Sequence, residues 1–193
     1  IADDIAYNSH DIDDGLRAGL FTVADIAGGV GLIGQLSGEV LERHPGLDTG
    51  RLIHEIVRRV ITRLVEDVLG EAARRLDRLA PERPEDLRSA AAPVIAFSAA
   101  MQGEIEALRG FLFTRMYRHS RVMRVMETAE GVVERLFAGF LERPERLPAE
   151  WQQRVAANEG RLARVVADYI AGMTDRFALA EHRRLFDGAP ELR

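Results

Sequence analysis

An all-α, multi-helix array of about six to eight helices is the fold class this sequence predicts, on two observations and one absence. Apolar residues recur at 3/4 spacing over several turns between residues 51 and 79, at Leu52, Ile53, Ile56, Val57, Val60, Ile61, Leu64, Val65, Val68 and Leu69. Prolines close or open the amphipathic runs, at Pro81, Pro84, Pro144 and Pro148, because Pro cannot continue a helix. No segment shows sustained period-2 alternation, so no sheet is expected.

The elements follow in order. Residues 1–11, Ile-Ala-Asp-Asp-Ile-Ala-Tyr-Asn-Ser-His-Asp, read as helix without a starting Met, a signal peptide or a helix-start signal. The chain is therefore expected to be the C-terminal part of a longer protein. Residues 15–47 have a looser pattern with Gly28, Gly29, Gly31, Gly34 and Gly38, which predicts shorter helices with bends or close packing at the glycines. The run 51–79 starts from Asp48 or Thr49 as N-cap and ends at Pro81-Glu82-Arg83-Pro84. A second long helix is predicted from Val94 to Tyr117, with Pro93 near its first turn, and a third from Arg121 to Leu141, stopping at Pro144. Pro148-Ala149-Glu150-Trp151 resembles a helix start. A last helix is predicted from Gly160 to Phe186, closed by Gly188-Ala189-Pro190. Residues 1–193 are read as a single all-α unit, with 1–20 ending one functional region and 21–193 forming a C-terminal helical region.

Composition narrows the function classes. Apolar residues are 47% of the 193 and charged residues 30%, as in an ordinary folded domain rather than a disordered chain. With no Cys, disulfides, thiolate metal sites and Cys nucleophiles are excluded, and a reducing, cytoplasmic location is expected. No apolar run approaches the roughly 20 residues that span a bilayer, so no membrane partner is expected. All 26 basic residues are Arg, which fits either a coding bias or a need for bidentate anion contacts. The net charge of -5 argues against a nucleic-acid partner but leaves room for a local basic pocket.

Three clusters carry candidate chemistry. Asp3, Tyr7 and Asp11 are spaced four apart, on one stripe of a helix. They read as one ligand to a hard cation with two groups for a substrate, or as a solvated acidic helix start. His10-Asp11 resembles an adjacent metal pair, but consecutive helical residues point about 100° apart. Asp13 and Asp14 read as a polar turn. The second cluster, Arg109 to His119, brackets an apolar stretch between Arg109 and Tyr117. It reads as a clamp for a phosphate and a sugar or ring, or as a helix C-terminus dressed with Arg and His. The third, Asp168 to Ala178, reads as a packing helix with an internal salt bridge or as a buried polar site. His44, His54 and His182 receive no role. No Gly-x-Ser-x-Gly, Walker-type loop or His-Glu-x-x-His occurs.

Three stretches, taken in order, resemble a known family. They are Ala2-Asp3-Asp4-Ile5-Ala6-Tyr7-Asn8-Ser9-His10-Asp11, Phe111-Leu112-Phe113-Thr114-Arg115-Met116-Tyr117-Arg118-His119, and Ala171-Gly172-Met173-Thr174-Asp175-Arg176-Phe177-Ala178. Together they resemble the bacterial dGTP triphosphohydrolase-like family of HD-domain, metal-dependent phosphohydrolases, over essentially the whole chain. The resemblance implies Asp3 as the last metal ligand of the HD site and Tyr7 and Asp11 as lining the sugar and phosphate pocket. It implies Arg109 as a triphosphate contact, Tyr117 at the deoxyribose edge, and less definite roles for His119, Asp175 and Arg176. The family's first His and its His-Asp pair would lie upstream of Asp3, as would the catalytic acid or base. A divalent metal, Mg²⁺, Mn²⁺ or similar, is thus implied as cofactor but would be poorly held by these residues alone.

The resemblance further implies a dNTP substrate, hydrolysed to deoxynucleoside and triphosphate, a homo-oligomer, and a response to bound nucleotides. Residues 1–193 alone are expected to be inactive. Two alternatives stay open: hydrolysis of another nucleotide, or a helical oligomerisation or regulatory module.

Overall fold

Each helix of the computed structural model, which describes residues 1–158 and 160–186, buries one apolar stripe. Among these residues there are ten α-helices and no strand. The all-α expectation is borne out, with more and shorter helices than the periodicity alone implied. The chain falls into two compact units, Ile1–His119 and Ser120–Arg193, whereas the sequence reading treated 1–193 as one.

The first unit contains α1 (Ala2–Arg17), α2 (Val23–Gly29), α3 (Gly31–Arg43), α4 (Thr49–Leu79), α5 (Pro84–Arg88) and α6 (Ala99–Leu112), with a π-helical turn at Phe113–Tyr117. α1 lays Ile5, Ile12 and Leu16 into the core and packs mainly on α4. α4 contributes Ile53, Ile56, Val60, Leu64 and Val68, a 3/4 repeat that never leaves the buried face. Its N-cap is Asp48, whose carboxylate accepts from the Arg51 N–H at 3.0 Å. Ala80 in the left-handed region (φ 44°) closes it before Pro81. Close packing at the glycines occurs at Gly34, where a Cβ would meet the Ala27 carbonyl oxygen at 2.8 Å, and at Gly29 against Phe111; Gly28 and Gly38 face open space.

α6 starts at Ala99 rather than Val94, and the reason is long-range. The Ser98 N–H and hydroxyl both donate to the Asp67 carboxylate of α4, at 2.8 and 2.7 Å. The Ser98 oxygen accepts from the Met101 N–H, as an N-cap does. Farther along α6, the Glu104 carboxylate accepts from the Leu32 N–H at 2.7 Å, capping the start of α3 from another helix. These two ties fix the angle at which α6 crosses the unit, and hence where Arg109 and Tyr117 sit.

The second unit contains α7 (Ser120–Glu142), a 3-10 turn at Pro144–Arg146, α8 (Ala149–Ala157), α9 (Leu162–Ala171) and α10 (Asp175–Leu185). The single last helix expected from Gly160 to Phe186 is two helices. Gly172 ends α9, and Thr174, extended, caps α10 by accepting from the Phe177 N–H at 3.3 Å. The Thr-Asp pair is an N-terminal signal that the apolar periodicity masked. The proposed closing segment 188–190 lies outside the described residues.

This unit is built on Val132, Leu136, Phe140, Leu147, Val166 and Tyr169. The Tyr169 ring is edge-on to Phe140 at 5.3 Å and tilted on Trp151 at 5.1 Å. Its hydroxyl donates to Glu181, which also takes two hydrogen bonds from the Arg184 guanidinium, at 2.8 and 2.7 Å. The Arg184 bonds hold the Glu181 carboxyl below its ordinary value against its burial. Burial, then the Glu181 charge, pushes the Tyr169 phenol up to about 12.

Both shifts link stability to pH. Glu181, depressed in the fold, contributes stability above its unfolded value of 4.5, and that share is lost as pH falls through its folded value. Tyr169, raised, contributes stability below 10, lost as pH climbs toward 12. Unfolding followed through the single Trp, Trp151, should show both limbs. Glu181→Gln should flatten the acid limb, and an unchanged acid limb would mean the pairing contributes nothing.

No helix among the described residues is long and apolar enough to cross a membrane.

Candidate functional site

One groove of the first unit, about 240 Å³, is lined by Tyr7, Asn8, Arg109, Leu112, Phe113 and Tyr117. It gathers on one surface residues more than a hundred positions apart. The walls are α1, through Tyr7 and Asn8, and the end of α6 with the π turn that follows it.

The π turn matters for alignment. On an unbroken α-helix, Arg109 and Tyr117 would lie about 80° apart around the axis, since eight residues overshoot two turns. The Arg118 N–H instead bonds the Phe113 carbonyl at 3.0 Å, an i→i+5 bond. A turn of that kind holds more residues than an α turn and so rotates less per residue, which reduces that offset. That both residues line one groove is thus helped by a local departure from α-geometry.

Polar contacts tie the walls together. The Tyr117 hydroxyl donates its one proton to the Asp11 carboxylate, which can only accept when ionised. The Tyr7 hydroxyl lies 3.0 Å from the Tyr117 oxygen and, since that proton is committed to Asp11, donates to it. Burial first, and then the bonds to Asp11 and Tyr7, push the Tyr117 phenol far above its ordinary value. Tyr117 thus stays a neutral phenol at any physiological pH. Arg109 donates through Nη2 to Asp4 Oδ1 at 2.8 Å, while remaining half-exposed.

Tyr7, Asp11, Arg109 and Tyr117, four of the residues singled out from sequence, are therefore brought together. Asp3 is exposed on α1, and among the described residues its carboxylate makes no hydrogen bond or ion pair with them. The stripe of α1 that meets α6 is Asp4, Tyr7 and Asp11, not Asp3, Tyr7 and Asp11. Spacing of i, i+3, i+7 holds closer to one line than i, i+4, i+8, which drifts by about 80°. His10 is exposed while its neighbour Asp11 is bonded to Tyr117, so the adjacent pair does not act together. His119 is half-buried just after the π turn. Asp175 and Arg176 stand exposed in the first turn of α10 in the second unit, where an acidic side chain suits the helix dipole.

Asn8 of the groove lining and Asp4, the partner of Arg109, escaped the sequence reading. Asp4 was hidden beside Asp3 in a run that looked like solvated helix. Asn8 carried a usable signal: it falls between Ile5 and Ile12 on the apolar repeat of α1, where a polar residue is out of place.

The residues present do not by themselves fit a divalent metal. Among the described residues no three His, Asp or Glu side chains gather as a metal would need, and Asp3 offers a single exposed carboxylate.

Comparison with known proteins adds to this geometry. Residues 95–184 match the family model described as a phosphohydrolase-associated domain. The whole chain is 53% identical to a deoxyguanosinetriphosphate triphosphohydrolase-like protein of Azorhizobium caulinodans, of which it covers 48%. It is 48% identical, over 97% of its length, to a protein of the same name from Parvibaculum lavamentivorans, covering 47% of it. It is 48% identical over its full length to another from a Bradyrhizobium strain, covering 49%. The chain thus spans about half the length of the curated relatives it matches. The family resemblance carried by the three stretches is borne out.

Proposed function

We propose, for a chain similar along its whole length to deoxyguanosinetriphosphate triphosphohydrolase-like proteins, that the protein to which it belongs hydrolyses a dNTP to deoxynucleoside and inorganic triphosphate. The observation that carries this reading is the groove in which Arg109 stands beside Tyr7, Tyr117 and, behind them, Asp11.

The residues of this chain bind and orient. Arg109, always charged, neutralises a phosphate and presents its planar fork to two oxygens at once. Tyr117, kept neutral, offers an aromatic edge and an oxygen whose position is fixed by Asp11 and Tyr7. A ring packed there leaves little space for a 2′-hydroxyl and so favours deoxyribose. Asp3 would be one oxygen ligand of a divalent metal, with the remaining ligands and the catalytic acid or base upstream.

The test is product analysis on the native-length protein with each of the four dNTPs and Mg²⁺ or Mn²⁺. Inorganic triphosphate is the expected product, and residues 1–193 alone should release none. Single phosphate would point to a different nucleotide reaction, and no product from any dNTP would sink the reading.

A second reading, a helical assembly module, has one observation in its favour. α4 exposes Ile61, Val65, Leu69 and Leu76 along one side, an apolar stripe suited to a neighbouring subunit. Mass measurement on the same preparation reads this, since a homo-oligomer is expected.

A further inference from the structure

We infer that Asn8 is a nucleotide-contacting residue that sets how tightly and how selectively the groove holds its ligand. This deepens the function just proposed and rests on it.

Asn8 sits on the buried face of α1, in register with Ile5, Ile12 and Leu16, and is 2% exposed. Its amide nitrogen has no hydrogen-bond partner. A buried donor left unpaired lowers the stability of the free protein, whereas an apolar side chain of the same shape would not. Every other large side chain on this face of α1 is apolar. Asn8 also lines the groove with Tyr7, Arg109 and Tyr117. Ser9, its neighbour, is likewise buried without a partner but is not part of that lining.

The chemistry of the groove says what would meet the amide. A nucleotide brings sugar and phosphate oxygens, all of them acceptors, to a donor already stripped of water. A bond made there faces no competition from solvent. Arg109 responds to any phosphate, because every phosphate offers its fork charged oxygens. A neutral amide with fixed donor directions adds the discrimination: a ligand with no acceptor at that point leaves the amide unpaired and binds worse.

The test uses Asn8→Leu and Asn8→Ala in the native-length protein, reading the melting temperature without ligand, dGTP affinity by calorimetry, and KM for triphosphate release. Asn8→Leu should melt at or above the wild-type temperature while dGTP affinity falls about tenfold, the loss of one hydrogen bond. Asn8→Ala should show the same loss of affinity and serves if the larger side chain prevents folding. A purely structural Asn8 predicts the reverse, and Asn8→Leu with a lowered melting temperature and unchanged affinity would overturn the inference. If wild type hydrolyses dNTPs and neither variant changes KM or affinity, the inference falls and the proposed function stands. If wild type binds dGTP without hydrolysing any dNTP and the variants weaken that binding, the function falls and the inference stands. A wild type that binds no nucleotide overturns both.

Discussion

Arg109→Ala in the native-length protein should raise KM for a dNTP by about 100-fold, the loss of a charge-assisted contact to phosphate. Affinity for the product deoxynucleoside, which carries no phosphate, should hardly change. Arg109 is the groove-lining residue with a permanent charge, so no neighbour in that lining replaces it. Its ion pair with Asp4 is half-exposed, and such pairs contribute about 0–1 kcal/mol to folding. The melting temperature should therefore stay close to wild type, which separates a binding loss from a folding loss. Arg109→Lys is the informative companion: it keeps the charge but not the planar fork, and should recover only part of the affinity. Equal KM values for wild type and Arg109→Ala would remove this residue from the phosphate site.

Phe140→Ala should destabilise the second unit by about 3–5 kcal/mol. Phe140 is fully buried, at 0% exposure, and packs edge-on against Tyr169. Its removal leaves a cavity under the ring that also orients the Tyr169 hydroxyl toward Glu181. Denaturant unfolding read through Trp151, itself against Tyr169, should show the midpoint fall by a corresponding amount. A loss below about 1 kcal/mol would mean the aromatic cluster closes over the gap, since the cost depends on how far a site collapses.

How far the sequence revealed these features depended on the range of the interaction responsible. The long run 49–79 was legible because one local property, 3/4 periodicity with an Asp cap, determines it. The start of α6 was not, because Ser98 is held by Asp67 from a helix 31 residues earlier. The break between α9 and α10 had a local cause at Thr174 that continuous apolar spacing concealed. In the site, Tyr7 and Asp11 followed from helical spacing, and Arg109 and Tyr117 from an unusual bracket around apolar residues. That these four meet was implied by family resemblance and not by spacing, since nothing local pairs α1 with α6. Asp4 instead of Asp3 on the contact stripe, and the π turn that reduces the offset of Tyr117 from Arg109, are differences of tens of degrees around a helix axis. Residue counting does not resolve differences of that size.

The Arg109–Asp4 pair has a last consequence. Because one N–H of the guanidinium is already engaged by Asp4, an anion reaching the groove shares Arg109 with a carboxylate on the same molecule. That rival never diffuses away, and the half-exposed pair it makes is worth about 0–1 kcal/mol. Chloride or a simple carboxylate brings one charge and wins nothing in the trade. A chain of phosphates brings several charges and enough oxygens to occupy the guanidinium fork while leaving Asp4 to water. The groove should therefore favour visitors of higher charge, and the bias would trace to one aspartate placed one turn ahead of a tyrosine.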